Sequence, residues 1–555
     1  MAGVGLLVVS MGVVVMMLIS GIVMAEVGLS LSLGGLFNLS LGVQDLGSSL
    51  CFGGLINVMM GVVVVVFILV MVFSMVYMVN DVSVNVFLSY VVGFVMGMII
   101  LVSAYGSYLS VLGWEVLGVV SFVLIGYYAT RVAWGSALVT VLINRVGDVL
   151  FILFITSLVG YGSVLGGGLS FSVMVVVGAA VVGMVVTKSS QFPCSGWLPL
   201  AMAAPTPISA LVHSSTLVVA GLVMAVYMWS TVSGVYIVGV LCVVLGGLTL
   251  VGSSGSILWE MDFKKVVALS TSIHLAVMVL MLVVCGCGLM VSHMSLHAMF
   301  KSLLFVSVGL IILMQSHDQD YRGLLGGSGG FSGVTGLVLL SSVWSLVGLM
   351  GFSGWVSKDI LIEGLYACDI GLFGVIMGVG ALSCSLTYCW KLISVVCGSG
   401  VVGSSVLVDW VMGSGLKVTL LLMGVLSVCF GVLIEGMMDF SGVMGVLGLI
   451  EKYLYWLLAI VVYIVWANSF VGASSSGSNM FYLQDLYQRV LGWVVVMVLN
   501  YCSVVESALG SVVVEGLVSG VGCSAEVVVS GLKVVDMWSL FVGVVVWSGL
   551  LLMLY

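Results

Sequence analysis

The chain has 555 residues, of which 62% are apolar and only 6% charged, with a mean hydropathy of +1.39. That composition excludes a soluble globular domain. The formal charge of −8 rests on 13 basic and 21 acidic residues, so no basic patch suits nucleic acid and the positive-inside rule is too weak to orient the chain.

A membrane-crossing helix needs ~20 apolar residues, which leaves room for roughly 14 to 16 spans. The composition therefore predicts an all-α polytopic membrane protein. Residues 4–24 are expected as a retained first span: the first basic residue is Arg131, so neither a charged signal-peptide n-region nor an Arg-rich transit sequence is expected ahead of it. Leu29-Ser-Leu-Ser-Leu33 and Leu36-Phe-Asn-Leu-Ser-Leu41 flank Gly34-Gly35, and alternation on both sides of a Gly-Gly pair predicts a two-residue β-hairpin. Apolar runs follow near 55–79, 84–110, 112–129, 132–158, 171–187, 206–229, 235–258, 265–284, 292–314, 332–352, 371–396, 416–434, 446–467 and 484–500, with a last one at 538–555. Glu260-Met-Asp262-Phe-Lys264-Lys265 and His317-Asp318-Gln-Asp320-Tyr-Arg322 mark loop ends. The stretch 503–536 carries Glu506, Glu515, Glu526, Lys533 and Asp536 among apolar residues, too polar to span, and is expected as an amphipathic helix lying along a surface.

All four prolines lie between positions 193 and 207, directly after Lys188. Proline removes a backbone donor and breaks helices, and in lipid a broken backbone is tolerated only where protein or a wet cavity surrounds it. A lysine beside such a break is a candidate for carrying protons or ions.

A charge at mid-membrane costs ~2.5–3.5 kcal/mol on insertion scales, so each ionisable residue inside an apolar run needs a partner or a purpose. Glu115 has no basic residue near it in sequence; a Glu115–Lys188 pair between two helices lets each offset the other's burial, and moving the carboxylate then changes how tightly the lysine holds its proton. A static ion pair is the structural alternative, weakened because buried pairs contribute little net stability. His213 shares a helical face with Ser209 and Thr216 and reads as a relay beside the break, or as a core histidine if it stands alone. The strongest local pattern is His293-Met-Ser-Leu-His297-Ala-Met-Phe-Lys301. Its three ionisable groups at i, i+4 and i+8 line one helix face about 12 Å long, and the chain has only five histidines. A two-histidine zinc site is the rival reading, but no carboxylate or third ligand adjoins it and Lys301 repels a cation, which favours a proton path. Lys358, Asp359 and Glu363 follow the run ending near 352; a solvated helix end is their structural alternative.

Other patterns carry no chemistry. The twelve cysteines are scattered through apolar segments, and Cys285-Gly-Cys287 and Cys384-x4-Cys389 lack the paired spacing of zinc or iron–sulfur sites. Gly398-Ser-Gly400-Val-Val-Gly403 matches a dinucleotide fingerprint, but in a chain with 74 glycines and no soluble βαβ unit around it the match is accidental.

Taken in order, Gly113-Trp-Glu115, Asn144-Arg145-Val-Gly-Asp148, Lys188 with Trp197-Leu-Pro199, Ala204-Pro-Thr-Pro207-Ile-Ser-Ala-Leu-Val-His213, Asp262-Phe-Lys264-Lys265, His297-Ala-Met-Phe-Lys301, Gln319-Asp320-Tyr-Arg322 and Gly354-Trp-Val-Ser-Lys358-Asp359 resemble the chain 5 family of proton-pumping NADH–ubiquinone oxidoreductase, respiratory complex I. The resemblance runs from about 55 to 395. It implies an antiporter-like fold with two inverted five-helix repeats, discontinuous helices near Lys188 and Lys358, and a C-terminal lateral amphipathic helix. It divides the chain into an N-terminal span and β-hairpin (1–54), a proton-translocating core (55–395), C-terminal spans (396–500), and a lateral helix with final anchor (501–555). By the same resemblance Glu115 modulates Lys188, while His213, His293 and His297 connect onward to Lys301, and Lys358 with Asp359 completes an exit route. No cofactor or metal is expected in this chain; FMN, iron–sulfur clusters and ubiquinone are expected in partner subunits. The implied partners are other membrane-arm subunits, especially neighbouring antiporter-like ones, in a mitochondrial inner membrane.

Three departures from the pattern stand out. Met350 and Gly351 replace a usual proline before Gly354, leaving the second break to glycine. His274 occupies a place usually polar and uncharged, and the C-terminal region matches weakly. The alternative is a large subunit of a multisubunit sodium/proton antiporter, which shares the core but usually carries a lysine where Val219 stands.

Overall fold

Where no water reaches the backbone, each peptide group must find its partner within its own segment, so long Val/Leu/Met runs fold as helices. The computed structural model describes residues 29–32, 49–52, 54–79, 81–104, 107–165, 171–314, 319–320, 333–349, 351–367, 372–397, 414–437, 456–462 and 464. Two strands, β1 (Leu29–Ser32) and β2 (Ser49–Phe52), precede the helices α1 (Gly54–Tyr77), α2 (Val84–Ser103), α3 (Ser107–Ile125), α4 (Arg131–Leu165) and α5 (Phe171–Lys188). There follow α6 (Thr206–Val212), α7 (Leu217–Val232), α8 (Tyr236–Trp259), α9 (Phe263–Val284), α10 (Cys287–Met314), α11 (Gly333–Val347), α12 (Ser353–Ala367), α13 (Leu372–Cys397) and α14 (Ser414–Met437). Among the described residues nine helical segments, with α6 and α7 taken together as one, are long and apolar enough to cross a membrane. The expected span at 4–24, the C-terminal spans at 484–500 and 538–555 and the lateral stretch at 503–536 lie outside the described residues, as does most of 446–467.

The strands correct one expectation. β1 pairs antiparallel with β2, Leu29 opposite Phe52 and Ser32 opposite Ser49, so residues 33–48 form the connection in place of Gly34-Gly35 alone. Alternation identifies a strand but does not choose its partner. The run read as 84–110 also divides, because α2 ends at Ser103, whose hydroxyl turns back onto Ile99 O (2.7 Å), and Ala104 is extended.

Burial is distributed from the middle outward. Along α9 and α10 and through the α6–α7 pair nearly every side chain is buried, whereas α8 and α14 expose Ile237, Val240, Val244 and Val418, Leu421, Val425. Among the described residues the exposed faces of α8 and α14 are apolar while the buried helices α9 and α10 hold His274, His293, His297 and Lys301, the reverse of a soluble protein and the arrangement a lipid solvent favours.

Two interruptions position the polar residues. After α5 ends at Lys188, the Trp197 indole donates to Thr187 O (2.9 Å), and short turns at Cys194–Gly196, Trp197–Leu200 and Ala201–Ala203 lead into α6, where Pro207 sits in the first turn. The apolar run 206–229, read as one helix, is two. At His213-Ser-Ser-Thr216 the Ser214 hydroxyl bonds back to Ala210 O and the Thr216 hydroxyl to Leu211 O (2.9 Å), competing with the helix ladder. His213 therefore ends α6, and the helical face it was expected to share with Ser209 and Thr216 is interrupted.

The second interruption is made by glycine, as the missing proline implied. Gly348 (φ +79) and Gly351 (φ +86) turn the chain between α11 and α12. A Cβ at Gly354 would collide with the Ser345 carbonyl oxygen, so the two helices meet backbone to backbone there. Gly354→Ala is accordingly expected to destabilise the folded protein by ~1–3 kcal/mol. Gly380→Ala, where a Cβ meets open space within α13, is expected to be neutral or mildly stabilising. Thermal denaturation of the two variants in detergent separates them, and equal midpoints would refute the close approach.

Candidate functional site

The first cluster forms where α3, α4 and α5 meet. Gly147 lacks a Cβ that would strike the Thr187 hydroxyl, which lets α4 press against the end of α5 and sets Asp148 beside Lys188. Lys188 is fully buried, and Asp148 Oδ1 lies 3.8 Å from its Nζ. The Trp114 indole donates to the same oxygen (2.6 Å), and its ring faces the ammonium at 4.5 Å from the centroid. Arg145 joins Asp148 (3.2 Å) to Glu115 (2.5 Å).

This corrects the expected direct Glu115–Lys188 pair: the carboxylate within ion-pair distance of Lys188 belongs to Asp148, and Glu115 is the more distant charge, joined to Asp148 by Arg145. The physical reason is depth. Glu115 and Arg145 remain partly exposed at 28% and 40%, whereas the Asp148 side chain is only 7% exposed and Lys188 1%.

His213 lies between the two clusters. Its ring packs at 6.4 Å from Trp197 and 6.3 Å from Phe305, one helical turn beyond Lys301 on α10, and its Nδ1 has no hydrogen-bond partner among the described residues.

The second cluster gathers α9, α10, α12 and α13. His293, His297 and Lys301 are fully buried along α10, as their spacing predicted. The Lys301 ammonium donates to Ser270 Oγ on α9 (2.5 Å) and stands 5.4 Å from the Tyr388 ring centroid. His293 Nδ1 lies 2.8 Å from Ser357 Oγ on α12. Next to it the Lys358 ammonium donates to Leu346 O and Val347 O (2.7 and 2.8 Å), satisfying the last carbonyls of α11 across the glycine break. Asp359 is half-buried one residue on, and Glu363 is buried one turn further along α12.

Sequence reasoning gave no role to several of these residues. Asp148 and Arg145 carry a readable signal, an i, i+3 acid–base pair inside an apolar run. Ser270 and His274 also stand one turn apart on α9. His274 packs on His293 (5.6 Å between centroids, stacked) and on His297 (5.4 Å), so the stripe on α10 is faced by a third imidazole. Nothing in the run around Tyr388 distinguishes it from an ordinary core aromatic. Among the described residues no group of three His, Cys, Asp or Glu side chains is disposed to hold a metal.

A further polar group marks the end of α8. Lys391 donates to Ile257 O and Glu260 O (2.6 and 2.7 Å), while Lys265 pairs with Asp262 (2.6 Å) and Glu260 (3.4 Å). Burial pushes the Glu260 carboxyl above its ordinary range, and Lys265 opposes the shift.

Chemically, the arrangement offers fully buried lysines and histidines that can hold or pass protons. Comparison with known proteins points the same way. Residues 104–383 match the family described as NADH:quinone oxidoreductase/Mrp antiporter, TM. NADH-ubiquinone oxidoreductase chain 5 of Anopheles quadrimaculatus is 33% identical over 330 residues, covering 59% of this chain and 57% of that sequence. The Artemia franciscana chain 5 is 36% identical, covering 57% of each, and that of Anopheles arabiensis is 35% identical, covering 55% of this chain and 80% of that sequence. The match thus spans little more than half the length of the first of these relatives. Among solved structures, a chain of the Mrp complex from Dietzia sp. DQ12-45-1b superposes with a TM-score of 0.71 at 20% identity, covering 93% of this chain and 62% of that one. A chain of the archaeal membrane-bound sulfane sulfur reductase gives 0.63 at 19%, covering 85% and 92%. The family match takes in half of the chain and both clusters up to Lys358, and the chain belongs to the NADH:quinone oxidoreductase/Mrp antiporter transmembrane family.

Proposed function

We propose that this chain is a membrane subunit of proton-pumping NADH:ubiquinone oxidoreductase that carries protons through its buried lysines and histidines. The observation that carries the reading is the burial of Lys188, Lys301 and Lys358 with His213, His293 and His297 among apolar helices, since ionisable groups inside a membrane are costly even when partnered and mark ion and proton pathways. The relatives named chain 5 support complex I over the sodium/proton antiporter alternative, as does Val219 in place of a lysine.

In this reading the two breaks belong to a pair of inverted five-helix repeats, the first carrying Lys188 and the second Lys358. Lys188 gains or loses its proton as Asp148 moves nearer or further, with Glu115 acting on Asp148 through Arg145. His213 hands protons toward Lys301, the imidazoles carry them on to Lys358, and Asp359 receives them at the exit. FMN, iron–sulfur clusters and ubiquinone belong to partner subunits in the mitochondrial inner membrane, and the quinone chemistry there supplies the energy. The stretch 503–536 lies flat against neighbouring antiporter-like subunits.

Co-isolation tests the assignment: purification from its native membrane should bring flavin- and iron–sulfur-containing subunits with the chain, and recovery with antiporter subunits lacking both would overturn it. Proton carriage by the stripe is tested by His297→Ala. A helix accommodates alanine well, so the complex should assemble while pumping falls by about a hundredfold, the low end of the contribution of a positioned proton-transfer group. Undiminished pumping in that variant, or a transition metal bound between His293 and His297 at ~2.0–2.1 Å, would return the stripe to a structural role.

A further inference from the structure

On α10 alone the stripe is not bonded end to end. His293, His297 and Lys301 share a face, yet neither ring nitrogen of His297 has a hydrogen-bond partner among the described residues. The bonded route crosses to the facing helix. His274 on α9, fully buried, places Nδ1 3.3 Å from His293 Nε2 and Nε2 2.8 Å from the Tyr388 hydroxyl on α13. His293 continues from its other nitrogen to Ser357, beside Lys358. At the opposite end the Lys301 ammonium stands over the Tyr388 ring and donates to Ser270, one turn before His274. Both nitrogens of His274 therefore meet groups that can give and take a proton, and the ring bridges the lysine ends of the cluster across four helices.

We propose that His274 is a relay residue, passing protons between His293 and Tyr388 and so joining the Lys358 and Lys301 ends of the cluster. The assignment rests on the proton-path reading above. In the step, protonated His293 releases its Nε2 proton to Nδ1 of neutral His274; one N–H bond breaks and one forms, with no electron transferred. His274 returns to neutrality by giving its Nε2 proton to the Tyr388 oxygen, and the phenol's own proton crosses by way of water to the neutral amine of Lys301, which faces the ring 5.4 Å from its centroid and bonds Ser270 rather than the hydroxyl. Run in reverse, the same steps carry a proton from Lys301 to His293. Each passage leaves His274 in its other tautomer, and rotation of the ring or a return proton resets it.

His274→Gln separates relay from scaffold, because glutamine keeps a polar, hydrogen-bonding side chain but cannot accept a proton on one atom and release another from the far side. The purified complex, reconstituted in liposomes, is scored for protons moved per NADH oxidised, alongside Tyr388→Phe and Lys301→Met. His274→Gln is expected to slow translocation about a hundredfold, and Tyr388→Phe to fall in the same direction. If Lys301→Met stops translocation while His274→Gln pumps like the parent, the relay assignment is overturned and the proton path stands. If Lys301→Met itself pumps normally, the proton-path reading has failed and the relay with it. Should His274→Gln fail to assemble, Tyr388→Phe decides: full pumping without the hydroxyl overturns the proposal, and loss with intact assembly sustains it.

Discussion

Replacing Lys188 with methionine is expected to abolish proton translocation and depress coupled NADH:quinone turnover while leaving the helices in place. Methionine is unbranched and fills an irregular interior well, so the space around the lysine stem stays occupied. What disappears is the ammonium, fully buried, paired with Asp148 at 3.8 Å and facing the Trp114 ring. Asp148 keeps Arg145 and the Trp114 indole as partners, which limits the damage to the fold. A positioned proton-transfer group contributes typically 10²–10⁴-fold, so a fall of about a hundredfold in pumping rate is the expected scale. The assay compares proton uptake by reconstituted vesicles with NADH oxidation by an artificial acceptor in the same preparation. Unchanged protons per electron would remove Lys188 from the path.

The architecture was legible in proportion to how local its causes are. Helices follow from unbroken apolar runs, and the first interruption follows from four prolines crowded after Lys188. The second follows from Gly348, Gly351 and Gly354 standing where no proline does. The stripe His293–His297–Lys301 was readable because 3.6-residue periodicity acts within one helix. Its partners were not readable, since His274, Tyr388 and Ser357 reach it from three other helices and only packing brings them together. The same limit explains Glu115. Its charge is visible in sequence, but the depth at which α3 sets it is not, and Arg145 and Asp148 fill the space between it and Lys188. The turn at His213–Thr216 sat in plain view as four consecutive polar residues, and the hydrophobic count over 206–229 hid it because the helices on either side are apolar. β1 found its partner at Ser49–Phe52 for a related reason: short alternating segments are equivalent until the chain closes on one of them.

Asp148→Asn is expected to impair both pumping and assembly more severely than Glu115→Gln, reversing the order that a direct Glu115–Lys188 pair implies. With asparagine at 148 the indole of Trp114 still finds an oxygen, but Lys188 has no carboxylate within ion-pair distance, and Arg145 turns wholly to Glu115. Leaving one member of a buried pair alone costs about 3–5 kcal/mol, enough to neutralise the lysine or loosen the end of α5. With glutamine at 115, Arg145 retains Asp148 and Asp148 retains Lys188, so the lysine keeps its partner and loses only a more distant charge. Glu115 is also partly exposed, where pair energies shrink toward ~0–1 kcal/mol. Because Arg145 couples the two carboxylates, the double variant should depart from the sum of the single effects, as groups in one network do. Amount of assembled complex and pumping rate, measured for both single variants and the double, decide the matter. A stronger loss in Glu115→Gln than in Asp148→Asn would place Glu115 in direct contact with Lys188 during turnover and demote Asp148 to a structural anchor for Arg145, whereas strict additivity of the two would show that Arg145 does not couple the carboxylates.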